Sequence, residues 1–276
     1  MCDCQRTRRE LLGGALTGAV GAAAALGLSA CGQAESSGDA SDDAGLARLA
    51  PVASLTATEV APGLRIHPRD QWGADLPPKW AIAPETVQFL LVHHTYSSNA
   101  VPDPRRIIRQ TYAFHTGPEK RWPDICYHFM ISPDGAVWET RAGSLAGPVV
   151  ADATGGNQGY AQLVCMIGNF TDTAPTAAAQ ESLARTLLFL ADRYDVDTDP
   201  AATTTFVSRG SNKFRSGTTV TTSTISGHRD VTYTACPGDV GYALLPRWRN
   251  RVNATRLQRT DPGPTKRAVR LDVHLT

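Results

Sequence analysis

The chain has 276 residues, 42% of them hydrophobic, and a formal net charge of +1. That length and apolar content suffice for one substantial domain with its own core, plus tails. Near-neutral charge, with no useful basic run after the first ten residues, argues against nucleic acid as a partner.

The N-terminal segment reads as an address. Arg8 and Arg9 precede an apolar, Ala/Gly-rich stretch from Leu11 to Ala30, the pattern of an export signal over residues 1–30. The arginine pair resembles a twin-arginine signal. "LSAC", Leu28 to Cys31, resembles a bacterial lipobox, which implies cleavage before Cys31 and lipidation of that residue. The alternative is an ordinary transmembrane anchor, for which so much Gly and Ala is weakly hydrophobic. Residues 31–63, rich in Ser, Ala, Asp and Gly, bury too little apolar surface to order themselves and are expected to be a flexible tether. A tether of that length reaches on the order of 30 Å.

"QFLLVHHT" (88–95) is a continuous apolar run, expected to be a buried strand. Residues 103–117 combine Asp103, Pro104 and apolar spacing at Ile107, Tyr112 and Phe114, which predicts a helix ending at Gly117. The runs 125–131 and 135–141 flank "SPDG" and predict a hairpin. Residues 161–170 are a further strand. The spacing of Leu183, Leu187, Leu190 and Tyr194 predicts a helix over 176–196. The Thr/Ser-rich stretch 202–224 reads as loop and edge structure. Residues 238–252 predict a last helix that Pro246 breaks or kinks. Strands alternating with helices indicate an α/β fold, a single mixed β-sheet flanked by helices, over 64–252. Residues 253–276, charged and carrying Pro262 and Pro264, read as a C-terminal extension.

Cys2 and Cys4 leave with the leader, so the folded part keeps Cys126, Cys165 and Cys236. An odd number in an exported protein gives at least one thiol a task other than a disulfide. His93 or His94, with His228 and Cys236, would make a three-ligand set for zinc with the fourth position open to water. Only one of the adjacent histidines can reach a given ion, because neighbouring strand residues face opposite sides. A surface or core histidine pair and a buried structural thiol are the alternatives, and the spacing of His228 and Cys236 is not a standard zinc-knuckle spacing.

The motifs "VHHT" (92–95), "DICYHFMISPDGAVWETR" (124–141), "IGNF" (167–170) and "GHRDVTYTACPGD" (227–239) occur in one order. Together they resemble the type-2 N-acetylmuramoyl-L-alanine amidases, including phage lysozyme-like amidases and peptidoglycan recognition proteins. "RDQWGA" (69–74) resembles the opening of the recognition-protein domain, and "YALLPRW" (242–248) its closing helix. The resemblance implies one zinc ion held by His93, His228 and Cys236. It implies hydrolysis of the bond between N-acetylmuramic acid and L-alanine, with peptidoglycan as partner. Tyr127 matches a tyrosine that hydrogen-bonds at the zinc site, and Thr234 a position of threonine or lysine. His115, Trp122 and Asn157 match substrate-cleft positions, and Asp124 a supporting one. His94 and His128 are expected to pack.

Two departures stand out. Relatives with a glutamate proton shuttle carry it where this chain has Cys165, which sides it with the recognition-protein branch; Glu139 is not expected to replace that acid. Residues 147–160 lack the histidine often found in the substrate loop. The same fold serves non-catalytic receptors that have lost the cysteine ligand, so a binding module is the alternative to an enzyme. Cys126 is expected to face the core, opposite to Tyr127, and Cys165 the cleft; a Cys126–Cys165 disulfide is possible, but this opposite facing favours two separate thiols. A monomer at the outer face of the cytoplasmic membrane or cell wall, anchored through Cys31, completes the expectation.

Overall fold

The computed structural model describes residues 50–156 and 158–260. The expected export signal, Cys31 and Asn157 lie outside the described residues, as do 261–276.

The centre of the fold is β3 (Phe89–His94), buried along its whole length. A strand covered on both faces needs the continuous apolar run that this segment supplies. On one side β3 pairs in parallel with β6 (Ala161–Met166), and on the other with β9 (Ile225–Gly227). Beyond β6 lie β4 (Phe129–Ile131) and β5 (Val137–Glu139), an antiparallel pair joined by the Pro-Asp-Gly turn. β1 (Thr58–Ala61) and β2 (Leu64–His67) complete a mixed seven-stranded sheet in the order β1-β2-β5-β4-β6-β3-β9.

The sheet carries different layers on its two faces. Leu90 and Val92 face a cluster with Leu183, Leu187 and Leu190 of α3 (Ala177–Tyr194) and Trp248 and Val252 of α6 (Leu245–Thr260). Thr176 caps α3, its hydroxyl accepting from the Ala179 amide at 3.1 Å. Phe89 and Leu91 face a second cluster that includes Ile108 and Tyr112 of α2 (Pro104–Thr116) and Trp72 of α1 (Asp70–Gly73). α2 begins as expected, with the Asp103 carboxylate accepting from the Arg105 amide at 3.0 Å and Pro104 in the first turn.

Three features differ from the sequence reading. β1, and a turn at Val52–Ser54, fall inside the stretch read as tether. The hairpin turns at Gly63 (φ +72°), and Leu64 and Ile66 enter the core, so two buried apolar side chains suffice to recruit this edge. The stretch 202–224 contains an antiparallel pair, β7 (Thr203–Val207) and β8 (Thr219–Ser223), outside the main sheet. The chain breaks at Leu244 between α5 (Asp239–Ala243) and α6, as Pro246 predicts. α6 then runs past 252 to Thr260, with Arg256 paired to Asp192 of α3 at 3.1 Å. No helix of the described residues is long and apolar enough to cross a membrane.

Candidate metal centre

The carboxyl ends of β6, β3 and β9 converge at one edge of the sheet, where open α/β sheets place their ligand sites. Register does most of the positioning. His93 stands opposite Cys165, and Val92 opposite Gly227, so the next residue after β9, His228, falls beside His93. Their ring centroids are 4.3 Å apart. His228 opens the one-turn helix α4 (His228–Val231), whose Asp230 accepts from the Gly227 amide at 2.8 Å and from the Tyr242 hydroxyl at 2.5 Å.

Cys236 is returned to the histidines by the loop after α4. Its carbonyl accepts from the Arg229 amide at 3.1 Å, and its own amide donates to Thr234 Oγ1 at 3.2 Å. Its Sγ lies 3.6 Å from His93 Nδ1 and receives the His94 amide at 3.3 Å. A backbone donor aimed at sulfur favours the thiolate, the form that binds metals. After a cis Cys236–Pro237 bond, Gly238 adopts φ +86° and lies against the Phe170 backbone. A Cβ at Gly238 would stand 2.3 Å from the Phe170 carbonyl oxygen.

The donor set fits a zinc-type ion. Ligand atoms of His93, His228 and Cys236 all lie within 4.8 Å of one another, and all three residues are buried. His93 Nε2 and His228 Nδ1 are buried without a hydrogen-bond partner, a deficit that a shared cation would remove. Burial, reinforced by His228, holds His93 well below the usual imidazole range, and burial lowers His228 to about 3. Both rings are therefore neutral at pH 7, the state in which imidazole ligates.

Around this set the residues separate by role. Tyr127 is buried with its ring 5.1 Å from that of His93. His115 packs 5.5 Å from Tyr127 and 4.8 Å from Trp122, and burial lowers it to about 3. Tyr127 and His115 line a small cleft with Thr95, Ser97 and the α2 residues Ile107, Thr111 and Phe114; the sequence reading assigned none of these five to the site. Thr234, half-buried, uses its oxygen on the Cys236 amide, which leaves its hydrogen to donate. Asn157 lies outside the described residues.

Several candidates lie apart from the ligand set. His94 faces the helical layer side, its Nδ1 accepting from the Phe170 amide at 3.2 Å, and burial lowers it to about 4. His128 bridges strands and loop, accepting from the Leu163 amide and donating to the Val149 carbonyl, both at 2.8 Å. Glu139 lies on β5, three strands from β3, and its carboxylate accepts from the Leu145 amide. Asp124 braces the Tyr127 segment through Arg69 at 2.9 Å and the Ile125 and Ala142 amides.

The opposite facing expected of Cys126 and Tyr127 does not occur. Both join the same buried cluster, because residues 125–128 precede β4 and lack a strand's alternation. Cys126 Sγ stands 3.9 Å from His115 Nε2, and Cys126, Cys165 and Cys236 are buried thiols rather than disulfides.

A family model described as N-acetylmuramoyl-L-alanine amidase (Amidase_2) matches residues 83–239, a span holding β3, the Tyr127 segment and all three candidate ligands. The chain belongs to this amidase family. The human N-acetylmuramoyl-L-alanine amidase is 31% identical over 217 residues, which is 74% of this chain and 32% of the human protein. Mouse peptidoglycan recognition protein 1 is 28% identical over 195 residues, covering 67% of this chain and 88% of that protein. The chain thus spans about a third of the length of the curated amidases it matches. The crystal structure of Drosophila peptidoglycan recognition protein SD superimposes with a TM-score of 0.52 at 23% identity, over 67% of this chain and 95% of that one. That likeness places the amidase-family sheet and its flanking helices in a known fold.

Proposed function

We propose that the domain is a zinc-dependent amidase that hydrolyses the bond between N-acetylmuramic acid and L-alanine in peptidoglycan. The observation that carries this reading is the buried His93, His228 and Cys236 set with its two partnerless imidazole nitrogens. When bound there, zinc would supply hydroxide at neutral pH, by lowering the pKa of its water toward about 7, and polarise the scissile carbonyl.

The chain's own residues supply the remainder. The His94 amide donates to the Cys236 sulfur, a contact that favours its anionic form. Tyr127, on the cleft side of His93, offers a phenolic donor for the oxyanion that develops on the amide carbonyl. Thr234 offers a second, neutral donor from the ligand loop. Cys165, opposite His93, occupies the place at which other relatives carry a carboxylate, so the proton that reaches the leaving amine comes from another group. Retention of Cys236 favours an enzyme over a receptor.

The deciding measurement is release of muropeptides with new L-alanine N-termini by the full chain, with and without chelator. Loss of release in Cys236→Ala, with wall binding kept, is the expected outcome. Wall binding with no release by the zinc-loaded wild type would establish the receptor reading instead. Tyr127→Phe is expected to lower kcat on the order of 10²-fold with zinc content unchanged. We further propose export and a lipid anchor at Cys31, supported by Arg8, Arg9 and the Leu28–Cys31 motif. Cys31→Ser should then leave the membrane fraction; its retention there would refute the anchor.

A further inference from the structure

α4, the single turn that carries His228, is too short to sustain itself by internal hydrogen bonds. Its four carbonyls need donors, and only one is supplied from the turn's own continuation, by the Thr232 amide on the His228 carbonyl at 3.1 Å. The other three face the tip of the β7–β8 hairpin. Lys213 Nζ donates to the Arg229 and Asp230 carbonyls, both at 2.9 Å. Ser211 Oγ stands 3.4 Å from the Val231 carbonyl. A cation at a helix's carboxyl end also complements its dipole.

The same tip grips the loop that leads to Cys236. Asn212 Oδ1 accepts from the Tyr233 amide at 2.9 Å, and Asn212 Nδ2 donates to the Tyr233 carbonyl at 3.0 Å. Both backbone groups of Tyr233 are thus tied while its ring stays 64% exposed, so the contact fixes backbone rather than buries side chain. The tip is itself stiff, with Ser211 Oγ accepting from the Lys213 and Phe214 amides at 3.2 and 3.0 Å. It is anchored to the loop before β6 by the Arg209 amide on the Gly156 carbonyl at 2.6 Å.

We infer that Asn212 and Lys213 are positioning residues for the metal centre, a clamp that sets the spacing between His228 and Cys236. They touch neither ligand. Lys213 acts on the turn that begins with His228, and Asn212 on the backbone three residues before Cys236. This rests on the zinc reading above and adds a cause for its stability. Partners that orient metal ligands from outside are worth on the order of 10- to 100-fold in metal affinity.

The test uses the full chain and the variants Asn212→Ala, Lys213→Met and Lys213→Arg. Three readouts are taken: zinc transfer to a chromophoric chelator, the visible spectrum after cobalt loading, and exchange of the Arg229 amide in metal-free protein. That amide reports loop closure, because it donates to the Cys236 carbonyl. Asn212→Ala and Lys213→Met should release zinc on the order of 10- to 100-fold faster, alter the cobalt spectrum and expose the Arg229 amide. Their metal-free melting should match wild type, and Lys213→Arg, which keeps a donor fork, should restore slow release. Wild-type release and exchange rates in both loss variants would overturn the clamp. So would a fall in melting with exchange rising evenly across the domain, which marks a general folding role. A wild type that holds no zinc sinks the metal reading itself, and the Arg229 exchange then decides the clamp on its own.

Discussion

The two faces of β3 differ in what they ask of their residues. Leu90 and Val92 look toward the α3 and α6 layer, where Leu187, Leu190, Trp248 and Val252 are almost fully buried. Each leucine or valine there contributes about 1.5–3 kcal/mol by leaving water. The opposite face starts alike, with Phe89 and Leu91, and then changes. Toward the strand's carboxyl end it meets His93, Tyr127, His115 and two thiols, buried groups whose desolvation costs free energy unless something partners them. His93 and His94 condense the contrast: one step along the chain exchanges a ring with a partnerless nitrogen for one satisfied by the Phe170 amide.

That contrast can be broken by substitution. His93→Ala should have the largest effect, abolishing zinc binding by metal analysis and muropeptide release together. His94→Ala should retain zinc and lose about 1–3 kcal/mol of stability in denaturant unfolding, since the buried Phe170 amide is left without its acceptor. Equal zinc loss in both variants would show that facing does not separate their roles.

The smallest effect lies at the other end of the sheet. Burial raises Glu85 to about 8 from an ordinary 4.5, beside the Gln162 amide at 3.3 Å. Between those two values the folded state keeps a proton that the unfolded chain has released, so the contribution of Glu85 to stability falls as pH rises through this window. Glu85→Gln should remove that slope. Wild type and variant should melt alike near pH 4.5, with the variant a few degrees higher above pH 8, as calorimetry would show. Equal pH dependence of melting in wild type and Glu85→Gln from pH 5 to 8 would contradict this.

What could be read from sequence follows physical signal strength. β3, α2, the β4–β5 hairpin and α3 announce themselves by an apolar run, a cap, a turn and a heptad-like stripe. The candidate trio was named through motif resemblance, and the strand register explains why residues so distant in sequence meet. β9 has three residues, too few for periodicity to register. β7 and β8 are Thr-rich with exposed alternate positions, so they lack an apolar signature, and with them the roles of Asn212 and Lys213 were invisible. Alternation misled at Cys126 because it was applied to chain that is not strand.

Gly238 has a consequence for the depth of the Cys236 thiol. Its backbone rests directly on Phe170, leaving no room for a methyl group. The Pro-Gly step therefore behaves like a shim of minimum thickness between the loop of Cys236 and the loop that follows β6. Any side chain at 238 would force those two loops apart. The thiol is thus backed from behind by a residue with nothing to offer an ion, one whose missing side-chain atom lets two loops lie in direct contact.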